Sequence, residues 1–104
     1  MSKEITDSNL EETLTTDKLV VLDFTASWCV PCRMVGPIVD ELHEKYLDDV
    51  VIGKVDVDSN SATSSKYGIR NVPTILFIKN GEIVDKSIGA VPKNRLEELI
   101  LKYK

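Results

Sequence analysis

Cysteine and histidine are scarce in this sequence: two cysteines, Cys29 and Cys32, and one histidine, His43, among 104 residues. A four-ligand zinc site within one chain therefore lacks protein ligands of the usual kind, and only a metal shared between two chains stays open. No stretch approaches the ~18 apolar residues of a membrane span. The start, Met1-Ser2-Lys3-Glu4-Ile5-Thr6-Asp7, has no apolar signal-peptide core, so a cytoplasmic protein without membrane contact is expected. Positive charge is not in excess. The formal net charge of -4 argues against nucleic acid or an anionic membrane as the main partner. No G-x-G-x-x-G pattern occurs, so the sequence offers no dinucleotide-binding motif of that type.

What remains is an ordinary soluble composition, 42% hydrophobic and 29% charged, expected to form one domain over residues 1–104. A core of that size does not need staples. The two cysteines lie two residues apart in Trp28-Cys29-Val30-Pro31-Cys32-Arg33. In a reducing compartment such a pair favours redox or metal chemistry over a permanent structural bridge.

Along the chain, Ile5-Thr6 could form a short first strand, and Ser8 with Glu11 fits a capping box for a helix carrying Leu10 and Leu14. Leu19 to Phe24 is apolar except for Asp23, which predicts a strand buried on both faces. Val35, Ile38, Val39, Leu42 and Tyr46 recur at helical spacing, giving a long helix to about Leu47, with a kink expected at Pro37. Val50 to Val57 predicts a strand parallel to the previous one. Asn60 or Ser61 could cap a short helix ending near Tyr67-Gly68. Asn80-Gly81 between two β-like runs is a strong hairpin signal. Pro92 suits the opening turn of a last helix carrying Leu96, Leu99, Ile100 and Tyr103. The order β-α-β-α-β-α-β-β-α implies an α/β fold. Its one mixed sheet is parallel in the N-terminal half and ends in an antiparallel hairpin.

The sequence resembles the thioredoxin family. The resemblance rests on Val21-Leu22-Asp23-Phe24, Trp28-Cys29-Val30-Pro31-Cys32, Tyr67 to Thr74, Lys79-Asn80-Gly81 and Gly89, in the family's order over nearly the whole length. It implies a thioredoxin fold, a five-stranded sheet flanked by four helices, and a protein-disulfide reductase that binds no cofactor. The chain would act as a monomer on disulfide-containing clients, its Cys29-Cys32 dithiol being re-reduced by a separate thioredoxin reductase. Three positions depart from the family pattern: Val30 where glycine is usual, Thr25 where a bulky aromatic is frequent, and Gly36 where a larger apolar residue is common.

Residue chemistry assigns roles within that frame. Cys29 is the expected nucleophile, placed at a helix N-terminus and more exposed than Cys32, both of which promote a thiolate. Lowering a thiol pKa from about 8.5 to about 7, the value associated with this family, raises the thiolate fraction roughly 15-fold. A Brønsted slope of about 0.5 takes back roughly fivefold, so acidity alone leaves about threefold, and positioning must contribute more. A spacing of three places Cys32 on the same helical face as a resolving thiol. By the resemblance, Val30 and Pro31 between the cysteines help set the redox poise; Pro31 also fixes the backbone in the first turn.

Asp23, a carboxylate in an apolar strand, should be desolvated and fit to act as base for Cys32, with Lys54 on the neighbouring strand supporting proton transfer. A simple Asp23–Lys54 ion pair is the alternative. By the resemblance Pro73 is cis and its loop faces Cys29, offering backbone to an extended client. Trp28, Val30, Val72, Pro73, Gly89 and Ala90 would form an apolar client-binding rim, with plain core packing open for Val72 and Ala90. An oxidant or isomerase, and a binding module that ignores its thiols, are the other functional readings. His43, off the apolar stripe of its helix, is expected on the surface.

Overall fold

A computed structural model describes all residues, Met1–Lys104. The elements are β1 (Lys3–Glu4), α1 (Leu10–Leu14), β2 (Leu19–Thr25), α2 (Val30–Lys45), β3 (Val50–Asp56), α3 (Ser61–Lys66), β4 (Thr74–Lys79), β5 (Glu82–Ile88) and α4 (Lys93–Tyr103). One five-stranded sheet runs β1-β3-β2-β4-β5. β1, β3 and β2 are parallel, and β4 and β5 close the sheet antiparallel. The expected order and the mixed sheet are both present. No helix is long and apolar enough to cross a membrane.

β2 is the central strand, and its near-continuous apolar sequence follows from being covered on both faces. Leu19 and Val21 pack with Val50, Ile52, Ile75 and Phe77 beneath α2 and α4. Val20, Leu22 and Phe24 point the other way, onto Ile5, Leu10, Val55, Leu76 and Ile78. Phe24 and Phe77 are fully buried, each stabilising the fold by roughly 1.5–3 kcal/mol relative to exposure. The two-residue alternation of strand side chains puts Asp23 on the Leu19–Val21 face, under α2.

The hairpin forms at Asn80-Gly81, where φ is 52° and 82°, the paired positive values of a tight type I′ turn. The first strand is one element-length earlier than expected, at Lys3–Glu4, and Ile5 then donates its N–H to Lys54 O. Ser8 does not cap α1. Thr6 and Asn9 bond one another reciprocally, and Asn9 stands at the N-cap position without a side-chain bond into the helix. Likewise α3 starts after Asn60, but the carboxylate that meets its N–H groups is Asp7, on Ala62 and Thr63. α2 runs unbroken through Pro37 and ends at Lys45.

Candidate active site

β2 ends at Thr25 and the chain turns through Ala26-Ser27-Trp28 into α2. Cys29 is the N-cap of α2, in an extended conformation, with Val30 and Pro31 opening the first turn. Pro31 costs no hydrogen bond there, because the first N–H groups of a helix have no partner within it. The Sγ of Cys29 accepts the N–H of Cys32 at 3.2 Å, and no acidic residue lies in that first turn. The helix thus aims an amide and its positive end at this one sulfur.

Cys29 and Cys32 form a disulfide, with Cα atoms 5.3 Å apart. The two residues are equally buried, each 4% exposed, so the expected greater exposure of Cys29 is not found in this oxidised form. What distinguishes them is position: Cys29 caps the helix and Cys32 lies inside its first turn.

The segment before β4 comes up to the disulfide. Its Val72–Pro73 peptide bond is cis, and the Val72 carbonyl oxygen lies 3.6 Å from Cys29 Sγ. Val72 and Val57 pack against Ala26, Cys29 and Cys32. Gly89, at φ 89°, donates its N–H to Pro73 O at 2.9 Å, which draws the Gly89-Ala90 segment alongside the proline. Pro73 is buried, Val72 and Gly89 are half-buried, and Ala90 is exposed, so Ala90 is not core. Trp28 and Val30 stand out at 65% and 63% exposed, beside Met34, which is also exposed. The Trp28 indole N–H donates to Asp58 at 2.9 Å, a partner that sequence spacing gave no means of finding.

On β2, Asp23 is 1% exposed and its Oδ1 has no hydrogen-bond partner. Burial pushes its pKa up to about 7; the Lys54 charge pulls it down and the Asp40 charge pushes it up further. Lys54 is the register partner of Asp23 across β2 and β3. Its ammonium, however, is bonded to Asp40 on α2 and not to Asp23. Burial raises the Asp40 carboxyl, but hydrogen bonds from Ser2 and Lys54 outweigh it and hold the pKa below the ordinary range. An open groove of about 490 Å³ beside Cys32 is bordered by Thr25, Gly36, Asp40 and Lys54. Two of the three departures from the family pattern therefore meet in one place. His43 is half-buried, with Nδ1 enclosed and unpaired, and not the surface residue expected.

The sequence matches the thioredoxin family model over residues 1–102. It is 46% identical over 98 residues to a thioredoxin of Chlorobaculum thiosulfatiphilum, covering 93% of this chain and 91% of that protein. It is 47% identical over 94 residues to thioredoxin 2 of Chlorobaculum tepidum, covering 89% and 86%. A thioredoxin of Listeria monocytogenes is 46% identical over 103 residues, 99% of both chains. With a redox-active cysteine pair at the N-terminus of α2, beside a five-stranded mixed sheet, the chain belongs to the thioredoxin family and is a thioredoxin-like disulfide reductase.

Proposed function

We propose that Cys29 is the attacking sulfur, Cys32 the resolving one, and Asp23 the base that serves Cys32. The reading is supported above all by Cys29 Sγ, which caps α2 and accepts the Cys32 N–H at 3.2 Å. That amide and the helix terminus favour negative charge on Cys29 once the pair is reduced. In the first step the Cys29 thiolate attacks a client disulfide, forming a Cys29–client disulfide and releasing one client thiolate. Cys32 then loses its proton and attacks the Cys29 sulfur, closing the Cys29–Cys32 disulfide and releasing the second client thiolate. The client gains two electrons and the site loses two. A carboxyl with a pKa near 7, on the sheet face under α2, is suited to take the Cys32 proton at neutral pH. Lys54, whose charge lowers the Asp23 pKa, supports that transfer by favouring the ionised carboxylate that serves as the base.

A client segment lies extended against Val72-Pro73 and Gly89-Ala90, with Trp28 and Val30 as apolar contacts and the Val72 backbone pairing with it as a strand would. Pro31 holds the two cysteines in the first turn, and Val30 tunes the potential of the pair. A separate thioredoxin reductase returns the electrons. The chain acts as a monomeric domain, residues 1–104, in the cytoplasm.

Two variants test the order of the thiols. Cys29→Ser abolishes reduction of a protein disulfide such as that of insulin, and Cys32→Ser accumulates mixed disulfides joined through Cys29. Retained turnover in Cys29→Ser, or client adducts that accumulate on Cys32 of Cys29→Ser and not on Cys29 of Cys32→Ser, would overturn the assignment.

A further inference from the structure

Lys54 projects from β3 onto the same sheet face as Asp23, yet its Nζ lies 3.1 Å from each carboxylate oxygen of Asp40. Asp40 is itself held. Its Oδ1 accepts the backbone N–H of Ser2 at 2.9 Å and the Ser2 hydroxyl at 2.8 Å, both from the segment entering β1. Gly36 precedes Asp40 by four residues, one turn of α2, so the two lie on the same side of the helix. A Cβ at position 36 would sit 3.5 Å from Lys54 Nζ, so a side chain longer than alanine would take the space that the ammonium occupies. The gap at Gly36 and the acceptor at Asp40 together give Lys54 a place on the helix.

We propose that Asp40 is a positioning residue for disulfide exchange: fixed by Ser2, it draws the Lys54 ammonium onto α2 beside Gly36 and withholds that charge from Asp23. For the exchange step this rests on the reading of Asp23 as the base for Cys32. Few charges compete for influence there. Ile75, the β4 neighbour of Asp23, is apolar, and Cys32 of α2 is in the disulfide. Arg33 is exposed and turned to Ser27 O, and Asp56 is exposed two residues beyond Lys54. Lys54 and Asp40 are the charges that act on Asp23. The Lys54 side chain is flexible and borders the open groove, so it can swing between two carboxylates without repacking the core. Which carboxylate it serves fixes the pH at which Asp23 ionises.

Removing the Asp40 charge acts on Asp23 in one direction by two routes. A repelling carboxylate is lost, and Lys54 is freed to approach. Both favour ionised Asp23. The measurement is the titration of the Asp23 carboxyl carbon by NMR in the oxidised protein. Asp40→Asn, nearly isosteric and partly exposed, lowers the Asp23 midpoint by about one pH unit. Asp40→Glu restores it, and Ser2→Ala, which removes the hydroxyl donor, moves it a smaller distance the same way. In a Lys54→Gln background the shift caused by Asp40→Asn falls to less than half. An unmoved midpoint in Asp40→Asn, or an equal shift with and without Lys54, overturns the proposal, because Asp40 would then act by its own charge or not at all. The pH profile for resolution of a Cys29 mixed disulfide by Cys32 is measured in parallel. A profile that follows the NMR midpoint supports the whole chain of effects. A midpoint that moves while the profile stays supports the Asp40–Lys54 device and removes Asp23 from the exchange step.

Discussion

Lys54 faces Asp23 in direct register across β2 and β3, yet it gives its ammonium to Asp40, and Oδ1 of Asp23 stays buried without a hydrogen bond. The sheet places the two side chains as neighbours; the helix above decides whether they pair. Asp23 therefore bears most of its desolvation cost uncompensated, and that cost should be visible in the stability of the whole fold.

The carboxyl titrates near pH 7 in the folded chain and near 3.8 when unfolded, so between those values the folded state holds a proton that the unfolded state has lost. Its stabilising effect is complete below about pH 4 and is lost as the pH rises through 7. About three units correspond to roughly 4 kcal/mol. Asp23→Asn, which cannot ionise, should gain on the wild type by about that amount between pH 4 and pH 8. Urea unfolding of the oxidised proteins across this range measures the difference. A difference that does not change with pH would mean that Asp23 is solvated in the folded state.

Gly53 is a second point at which the sheet depends on one residue. A Cβ there would lie 2.5 Å from Ile5 Cγ1, 2.9 Å from Ile5 Cδ1 and 2.9 Å from the backbone oxygen of Lys3. The backbone oxygen belongs to β1 itself, so Gly53→Ala must push β1 off β3. The expected loss is about 1–3 kcal/mol, in the range of overpacked cores. Amide exchange at Ile5, whose N–H is bonded to Lys54 O at 2.8 Å, should speed up more than exchange in β4. Uniform acceleration across the sheet would show that the strain is not confined to β1.

Much of this was legible in the sequence because it is written in local periodicity. The apolar run at β2, the helical spacing of Val35 to Tyr46 and the Asn80-Gly81 turn each name their element without reference to the rest of the chain. The cysteine turn and the desolvated Asp23 were legible for the same reason, since strand and helix patterns abut there. What was not legible depends on partners far away in sequence. Ser8 and Glu11 match a capping box by spacing, but Thr6 and Asn9 close the turn, and α3 takes its cap from Asp7, more than fifty residues earlier. Lys54 was identifiable as a neighbour of Asp23 from strand order; that its charge goes to Asp40 depends on Ser2 and Gly36, which carry no periodic signal. The equal burial of Cys29 and Cys32 was hidden because the Val72 loop covers the first cysteine from outside its own helix.

Trp28 is the only tryptophan, two-thirds exposed, and the Asp58 carboxylate takes its indole N–H. An exposed hydrogen bond of this kind contributes about 1 kcal/mol or less to folding. Its effect should appear in client binding, where a ring held in one orientation loses less freedom on contact. Asp58→Ala should leave the unfolding midpoint nearly unchanged and raise KM for a protein disulfide severalfold. Turnover of a small aromatic disulfide, which needs no extended contact, should be unaffected. A change with both substrates would place the effect on the thiols and not on the rim.

Val30 separates the two cysteines whose redox poise is set by loop closure and by the helix end. Closing a loop of about four residues in the unfolded chain costs roughly 2 kcal/mol of chain entropy, so the oxidised protein should be the more stable form by about that amount. The same cycle ties folding to redox: the native disulfide is then harder to reduce than the unfolded one by roughly 40 mV. The helix end acts the other way, since the amide that Cys29 Sγ accepts would favour its thiolate once the pair is reduced. Paired urea titrations of the oxidised and reduced protein at neutral pH weigh the two effects directly. An oxidised form more stable by about 2 kcal/mol fits a reductase, whose disulfide persists until a partner reduces it. A reduced form equal to or more stable than the oxidised one would mean that the fold favours the dithiol, as in strong oxidants. Val30→Gly, which restores the residue usual in the family, should then move the balance back toward the disulfide.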